Sequence, residues 1–165
     1  MPDRLNEAKA SWWGTTTPPT TVTNTAITWI GANFLVTEQT YFWGGRIYLF
    51  GGFSYIPVFA LWEWNTNELM WIGTNKYGEI TPASNGWVQK WAAPRKTLLA
   101  GHTYAIACQV NHNWTRQNTA LAGGDVTHGR ISLHQSFQST SPAPWLVALT
   151  ANTNANGIDI LEGQF

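Results

Sequence analysis

The chain is poor in charge. Lys and Arg together number nine, Asp and Glu together nine, and the formal net charge over 165 residues is zero. A protein that tracks nucleic acid needs a basic surface to displace phosphate counterions, and none is visible in this sequence. Anionic membrane surfaces are disfavoured for the same reason. Cysteine is nearly absent as well. Cys108 stands alone, so no internal disulfide forms and the fold must rest on packing. It sits in the apolar run Tyr104-Ala105-Ile106-Ala107-Cys108, which reads as a buried, inert thiol. A nucleophilic Cys needs a nearby base or cation, and no motif supplies one. Nucleophile elbows, phosphate-binding loops and paired-Cys motifs are also missing. The expectation is a protein that is not an enzyme and uses no cofactor. The polar start Met1-Pro2-Asp3-Arg4-Leu5-Asn6-Glu7 lacks the apolar stretch of a signal peptide, and no run is long and apolar enough to span a bilayer. That points to synthesis and retention in a cytoplasm, unless the chain leaves by lysis or is cut from a longer precursor.

Thr, Asn, Ser and Gln carry most of the polarity. Such a surface is weakly protected against association, because charge is the usual deterrent. Eleven Trp is far above ordinary usage. Most read as core side chains packed in cross-strand pairs, and two or three as contacts.

Residues 1–24 read as an N-terminal arm and 25–165 as one β-sandwich domain. A short helical turn is allowed over Met1–Ala10, and Gly14 to Thr21, with Pro18-Pro19, breaks any regular element. Trp12 and Trp13 sit in that polar arm and want an apolar partner, either their own domain or a neighbouring subunit. From Ala26 the pattern is one of strands. Thr40–Phe50 places Tyr41, Trp43, Ile47 and Leu49 on odd positions, with a bulge or bend at Gly44-Gly45. Pro57–Trp64 sets Val58, Ala60, Trp62 and Trp64 on one face. Asn65-Thr66-Asn67 turns the chain into the hairpin partner Leu69–Gly73. In Trp87–Trp91, Trp87, Gln89 and Trp91 share one face, and Val88 and Lys90 the other. Pro94-Arg95-Lys96 reads as a linker, Ala100-Gly101 as a turn, and Thr103–Val110 as a central strand. Asn111–Gly129 reads as a long loop, Arg130–Phe137 as a strand, Ser139–Pro144 as a loop and Trp145–Leu149 as a short strand. The last strand holds Ile158, Ile160 and Phe165. Eight to ten short strands without a helical period predict an all-β, antiparallel two-sheet sandwich, a jelly roll by analogy.

An ordered set runs through the first two thirds: Phe34, Gly45-Arg46-Ile47-Tyr48, Leu61-Trp62, Gly86-Trp87, Pro94, and Ala100-Gly101-His102-Thr103-Tyr104. It resembles a domain of unknown function, a β-sandwich found mainly in bacterial extracellular multidomain proteins beside immunoglobulin-like and carbohydrate-active domains. The resemblance implies a fold and brings no chemistry with it. The residues also have structural readings: Gly101 for a turn with positive φ, Tyr104 and Trp62 as core, Arg46 paired with a carboxylate such as Glu63. Without an export signal or companion domains, a stand-alone module carrying an arm resembles a tailed-phage virion protein.

Glu63 and Glu68 flank a hairpin turn. Paired carboxylates across a cleft hydrolyse glycosides, but two acids at one turn are far more often a solvated turn. Asp125, His128 and His134 match no established ligand spacing, so no metal site is assigned. His102 and His112 bracket one strand. Trp114, Trp145 and Tyr77 are the candidate ligand platform, since exposed aromatic faces stack on sugar rings and also bury well at protein contacts. The expectation is a non-enzymatic structural or interaction protein located in a virion, either a capsid decoration or a minor tail subunit. Its partners would be other capsid or tail proteins or further copies of itself, with Trp12 and Trp13 as the arm's contacts, and neither nucleic acid nor membrane. The alternative is a carbohydrate-binding, lectin-like module that takes a surface glycan.

Overall fold

The computed structural model describes residues 4–6, 21–23, 25–50, 58–73, 86–110, 115–117, 119–120, 126–128, 130–152, 154–155 and 158–164. The strands, in chain order, are β1 (Arg4–Asn6), β2 (Thr21–Thr23), β3 (Thr28–Val36), β4 (Thr40–Phe50) and β5 (Val58–Glu63). Then come β6 (Glu68–Gly73), β7 (Gly86–Leu98), β8 (Thr103–Val110), β9 (Thr115–Gln117) and β10 (Thr119–Ala120). The series ends with β11 (Val126–His128), β12 (Ile131–Ser139), β13 (Thr150–Asn152), β14 (Asn154–Ala155) and β15 (Ile158–Gln164).

Two antiparallel sheets pack face to face. The six-stranded sheet runs β1-β15-β4-β9-β2, with β7 on the other side of β4. The seven-stranded sheet runs β11-β12-β3-β8-β5-β6, with β13 also on β12. β10 and β14 form a small separate pair. The core between the sheets takes Ile30, Phe34 and Val36 from β3, Phe42, Ile47 and Leu49 from β4, and Phe59 and Leu61 from β5. Ile106 and Cys108 from β8 and Ile158 and Ile160 from β15 complete it. Apolar area removed from water at about 25 cal/mol per Å² is the main term holding these sheets together. Cys108 is fully buried, as its apolar run required.

The bulge expected at Gly44-Gly45 is present and has a consequence for side-chain direction. Against β15, Trp43 is an extra residue of β4 between Phe42, opposite Glu162, and Gly44, opposite Leu161, and Gly44 holds φ +153°. An extra residue reverses the alternation of a strand. Tyr41 and Trp43 therefore point outward, whereas Ile47 and Leu49, also on odd positions, point into the core. In β7 the two faces come out as the alternation predicts: Val88 and Lys90 are buried, and Gln89 and Trp91 are exposed. Gly101 has φ +81° in the turn after Leu99, and its N–H donates to Val36 O at 2.7 Å.

Several local expectations are corrected. Arg4–Asn6 is a strand paired with β15, not a helical turn, because the edge of β15 offers those backbone groups ready partners. Within residues 1–24, Thr21–Thr23 likewise pairs with β9; Trp12 and Trp13 lie outside the described residues. Pro94-Arg95-Lys96 is no linker but part of β7. Phe42 pairs with Lys96 and Gly44 with Trp91, so four residues of β7 bulge opposite Trp43 alone. That bulge needs no ladder donor, which is why a proline fits inside it. The long loop expected over Asn111–Gly129 contains β9, β10 and β11. Trp145–Leu149 is not a strand: Pro144–Leu146 forms a 3₁₀ turn with Pro at its start.

Candidate functional site

The outer face of the seven-stranded sheet carries a second apolar layer. Alternation sends Trp29 and Gly31 of β3, Ala105 and Ala107 of β8, Ala60 and Trp62 of β5, and Phe137 of β12 outward. The Gly and Ala side form a low floor. Trp29, Trp62 and Phe137 rise from it, and all six non-Gly residues are buried. A sheet face this apolar needs a cover, and the segment after β12 provides it.

That cover is a strap over residues 140–149. Ser139 Oγ accepts from Ser141 N at 3.1 Å, and Ser141 Oγ accepts from Ala143 N at 3.3 Å. These two hydroxyl turns fold the chain back over the sheet. Trp145 then packs edge-on against Trp29, with centroids 5.8 Å apart and planes at 83°, and lies 6.0 Å from Trp62. Trp62 and Trp64 each approach Phe137, at 5.6 and 5.8 Å. Edge-to-face aromatic pairs of this kind add about 0.5–1.5 kcal/mol beyond burial.

The strap does not close over the whole face. Between it and the β5–β6 turn lies a cavity of about 400 Å³, lined by Trp62, Trp64, Asn67, Pro144, Leu146 and Val147 among others. Leu146 is 70% exposed and Val147 42%. Asn67 holds φ +57° in the turn and contributes the amide at this rim. On the other side of the strap, Gln138, Ser139 and Thr140 line a more polar opening of about 440 Å³. The first groove combines indole, aliphatic and amide side chains.

Trp145 thus packs on two structural neighbours, Trp29 and Trp62, beneath the strap. Trp114 and Tyr77, the other platform candidates, lie outside the described residues. Glu63 and Glu68 do face each other in register across the hairpin. Glu63 Oε1, however, bonds His102 Nδ1 at 2.9 Å, and Glu68 is exposed. His102 also stacks on Tyr104, whose phenol oxygen accepts from Leu99 N at 2.9 Å. Burial raises the Tyr104 pKa above its ordinary value of 10.0; the Leu99 bond lowers it in part, and Glu63 adds to the rise. Arg46 does not pair with Glu63. Its Nε donates to Asp159 Oδ2 at 2.9 Å, and its guanidinium lies 4.0 Å from the centre of the Trp87 ring. Among the described residues no three metal-ligating side chains come together; Asp125 and His112 lie outside them.

The groove's walls escaped the sequence reading. Trp64 lies on the face that alternation predicts, whereas Leu146 and Val147, expected in a strand, stand in the strap. The available signal was Pro142-Ala143-Pro144 ahead of Trp145, opposite a strand with Ala at alternate positions. No protein family, curated protein or solved structure matches the chain.

Proposed function

We propose that this chain is a non-enzymatic interaction protein that serves as a component of a tailed-phage virion, as a capsid decoration or minor tail subunit. The observation that carries the reading is the groove beside the strap. There Leu146 and Val147 stand in water next to a Trp-lined depression on a rigid sheet. Apolar groups held out in this way are what a protein contact buries. Charged residues make up only 11% of the chain, which leaves little to oppose association. The resemblance to sandwich modules, which brings no chemistry with it, fits an interaction role. Mass spectrometry of particles purified from the cell that encodes the chain tests it. The wild-type chain is expected at fixed stoichiometry, with folded Leu146→Asp lost from the particle. Particles without the wild-type chain overturn the reading.

Trp64 beside the Asn67 amide supports a second reading, a glycan-binding module, since an indole and an amide are the pair that stacks on and orients a sugar ring. The exposed Leu146 and Val147 beside the groove rank it behind a protein partner. Retained polysaccharide binding in Trp64→Ala would remove this groove from it.

A further inference from the structure

We propose that β6 is a self-pairing edge, through which two copies of the chain join their seven-stranded sheets across a two-fold axis. This deepens the interaction reading by naming one partner, a second copy, and it rests on observations separate from the groove. Among the described residues, β6 is the terminal strand of its sheet. Edge strands are normally blunted by Lys, Pro or a bulge on the exposed side, because their free backbone groups template pairing. The terminal strand of the opposite sheet on this side, β7, has such devices: Pro94, Lys96 and its four-residue bulge. The sequence of β6, Glu-Leu-Met-Trp-Ile-Gly, has neither Lys nor Pro, and its one irregularity is the single extra residue Met70 against β5.

Side-chain placement on β6 also fits a second copy. Trp71 anchors the strand to the core through Phe42, with ring centroids 5.1 Å apart. Leu69 pairs with Trp62 and Ile72 with Ala60, so both point to the outer face, and both are exposed. Residues three apart share a face here because the register shifts between Leu61 and Trp62. An antiparallel pairing centred between Met70 and Trp71 sets Leu69 opposite Ile72 of the second copy, and the reverse. The same apolar pair thus forms twice, as an isologous contact requires. The pairing sets Glu68 opposite Gly73, so the two carboxylates stand at opposite ends, about 17 Å apart at strand rise. No like charges meet. Six paired residues make a small interface, and association in the micromolar range is expected.

Sedimentation equilibrium of the full-length chain, without particles, tests this. The expected result is a monomer–dimer equilibrium that weakens about tenfold or more in Ile72→Lys and in Leu69→Lys, two exposed sites where folding is preserved. Leu146→Lys, in the groove, leaves the dimer intact. A chain that is monomeric at all concentrations overturns the inference. So does a dimer insensitive to both β6 substitutions, or an open-ended polymer. A monomer found in particles leaves the virion reading standing and removes only this one.

Discussion

Phe137 lies directly over Gly31. A Cβ built on Gly31 would meet Phe137 Cζ at 2.6 Å and would collide with the carbonyl oxygen of Ile106. The aromatic layer under the strap therefore depends on a residue without a side chain in the middle of β3. Gly31→Ala is expected to destabilise the fold by about 2–3 kcal/mol, because backbone on β8 cannot yield as a flexible side chain would. Gly86→Ala is the control, since nothing lies within 4 Å of its Cβ. Urea titration of both variants checks the difference. Equal midpoints would mean that the sheet relaxes around the extra methyl.

Arg46 and Asp159 form the second dependency. The Asp159 side chain is fully buried, and Arg46 is 13% exposed, covered in part by Trp87. Removing the cation leaves a carboxylate in a site of low polarity, at a cost of about 3–5 kcal/mol. Replacing both partners by apolar residues of similar size costs much less. Arg46→Met is thus expected to be far more damaging than Arg46→Met with Asp159→Leu. Chemical denaturation of the two single variants and the double variant completes the cycle. A double variant no more stable than Arg46→Met would show that the pair is not the source of the loss.

These two relationships mark where sequence reading reaches its limit. Alternation and turn residues were enough for the strands from Thr28 to Glu63, the hairpin at Asn65–Asn67 and the two faces of β7, because those signals are local. Arg46 and Asp159 are 113 residues apart, so charge type alone could not pair them, and Glu63 was the nearer guess. Pro94 misled because a proline breaks a ladder only where a donor is needed, and the bulge opposite Trp43 removes that need. The groove was hidden for a related reason. Its walls bring Trp62 and Trp64 together with Pro144, Leu146 and Val147, which lie far apart in the chain, so no local periodicity signals it.

Tyr104 gives the fold an alkaline limit. Its folded pKa lies above the ordinary 10.0, chiefly through burial. The folded state therefore favours the neutral phenol. The stability this contributes is complete below about pH 10 and is lost as pH rises through the folded value. Tyr104→Phe removes the hydrogen bond from Leu99 N, at a cost of about 1 kcal/mol near neutrality. It also removes the titration. The gap between wild type and variant is expected to narrow above about pH 10. Denaturation free energies measured on either side of that pH check it; a constant gap would place the alkaline loss elsewhere.

Trp145 is the anchor of the strap, and its removal should separate strap from sandwich. Its ring covers Trp29 and Trp62, and the turn around it is held by Leu146 N donating to Ala143 O at 3.0 Å and Val147 N donating to Pro144 O at 3.4 Å. These two bonds are local and near the surface, whereas β3 and β8 pair along eight consecutive positions. Regions with few buried contacts open at lower free energy than the core. In Trp145→Ala, amide hydrogen exchange at Leu146 and Val147 is expected to speed up about tenfold or more, with the β3–β8 amides still protected. Trp145→Phe should retain most of the protection, because a phenyl ring can still pack edge-on against Trp29. If β3 and β8 instead lose protection together with Leu146 and Val147, the strap is part of the core's cooperative unit. The groove it borders then opens only when the whole sandwich does.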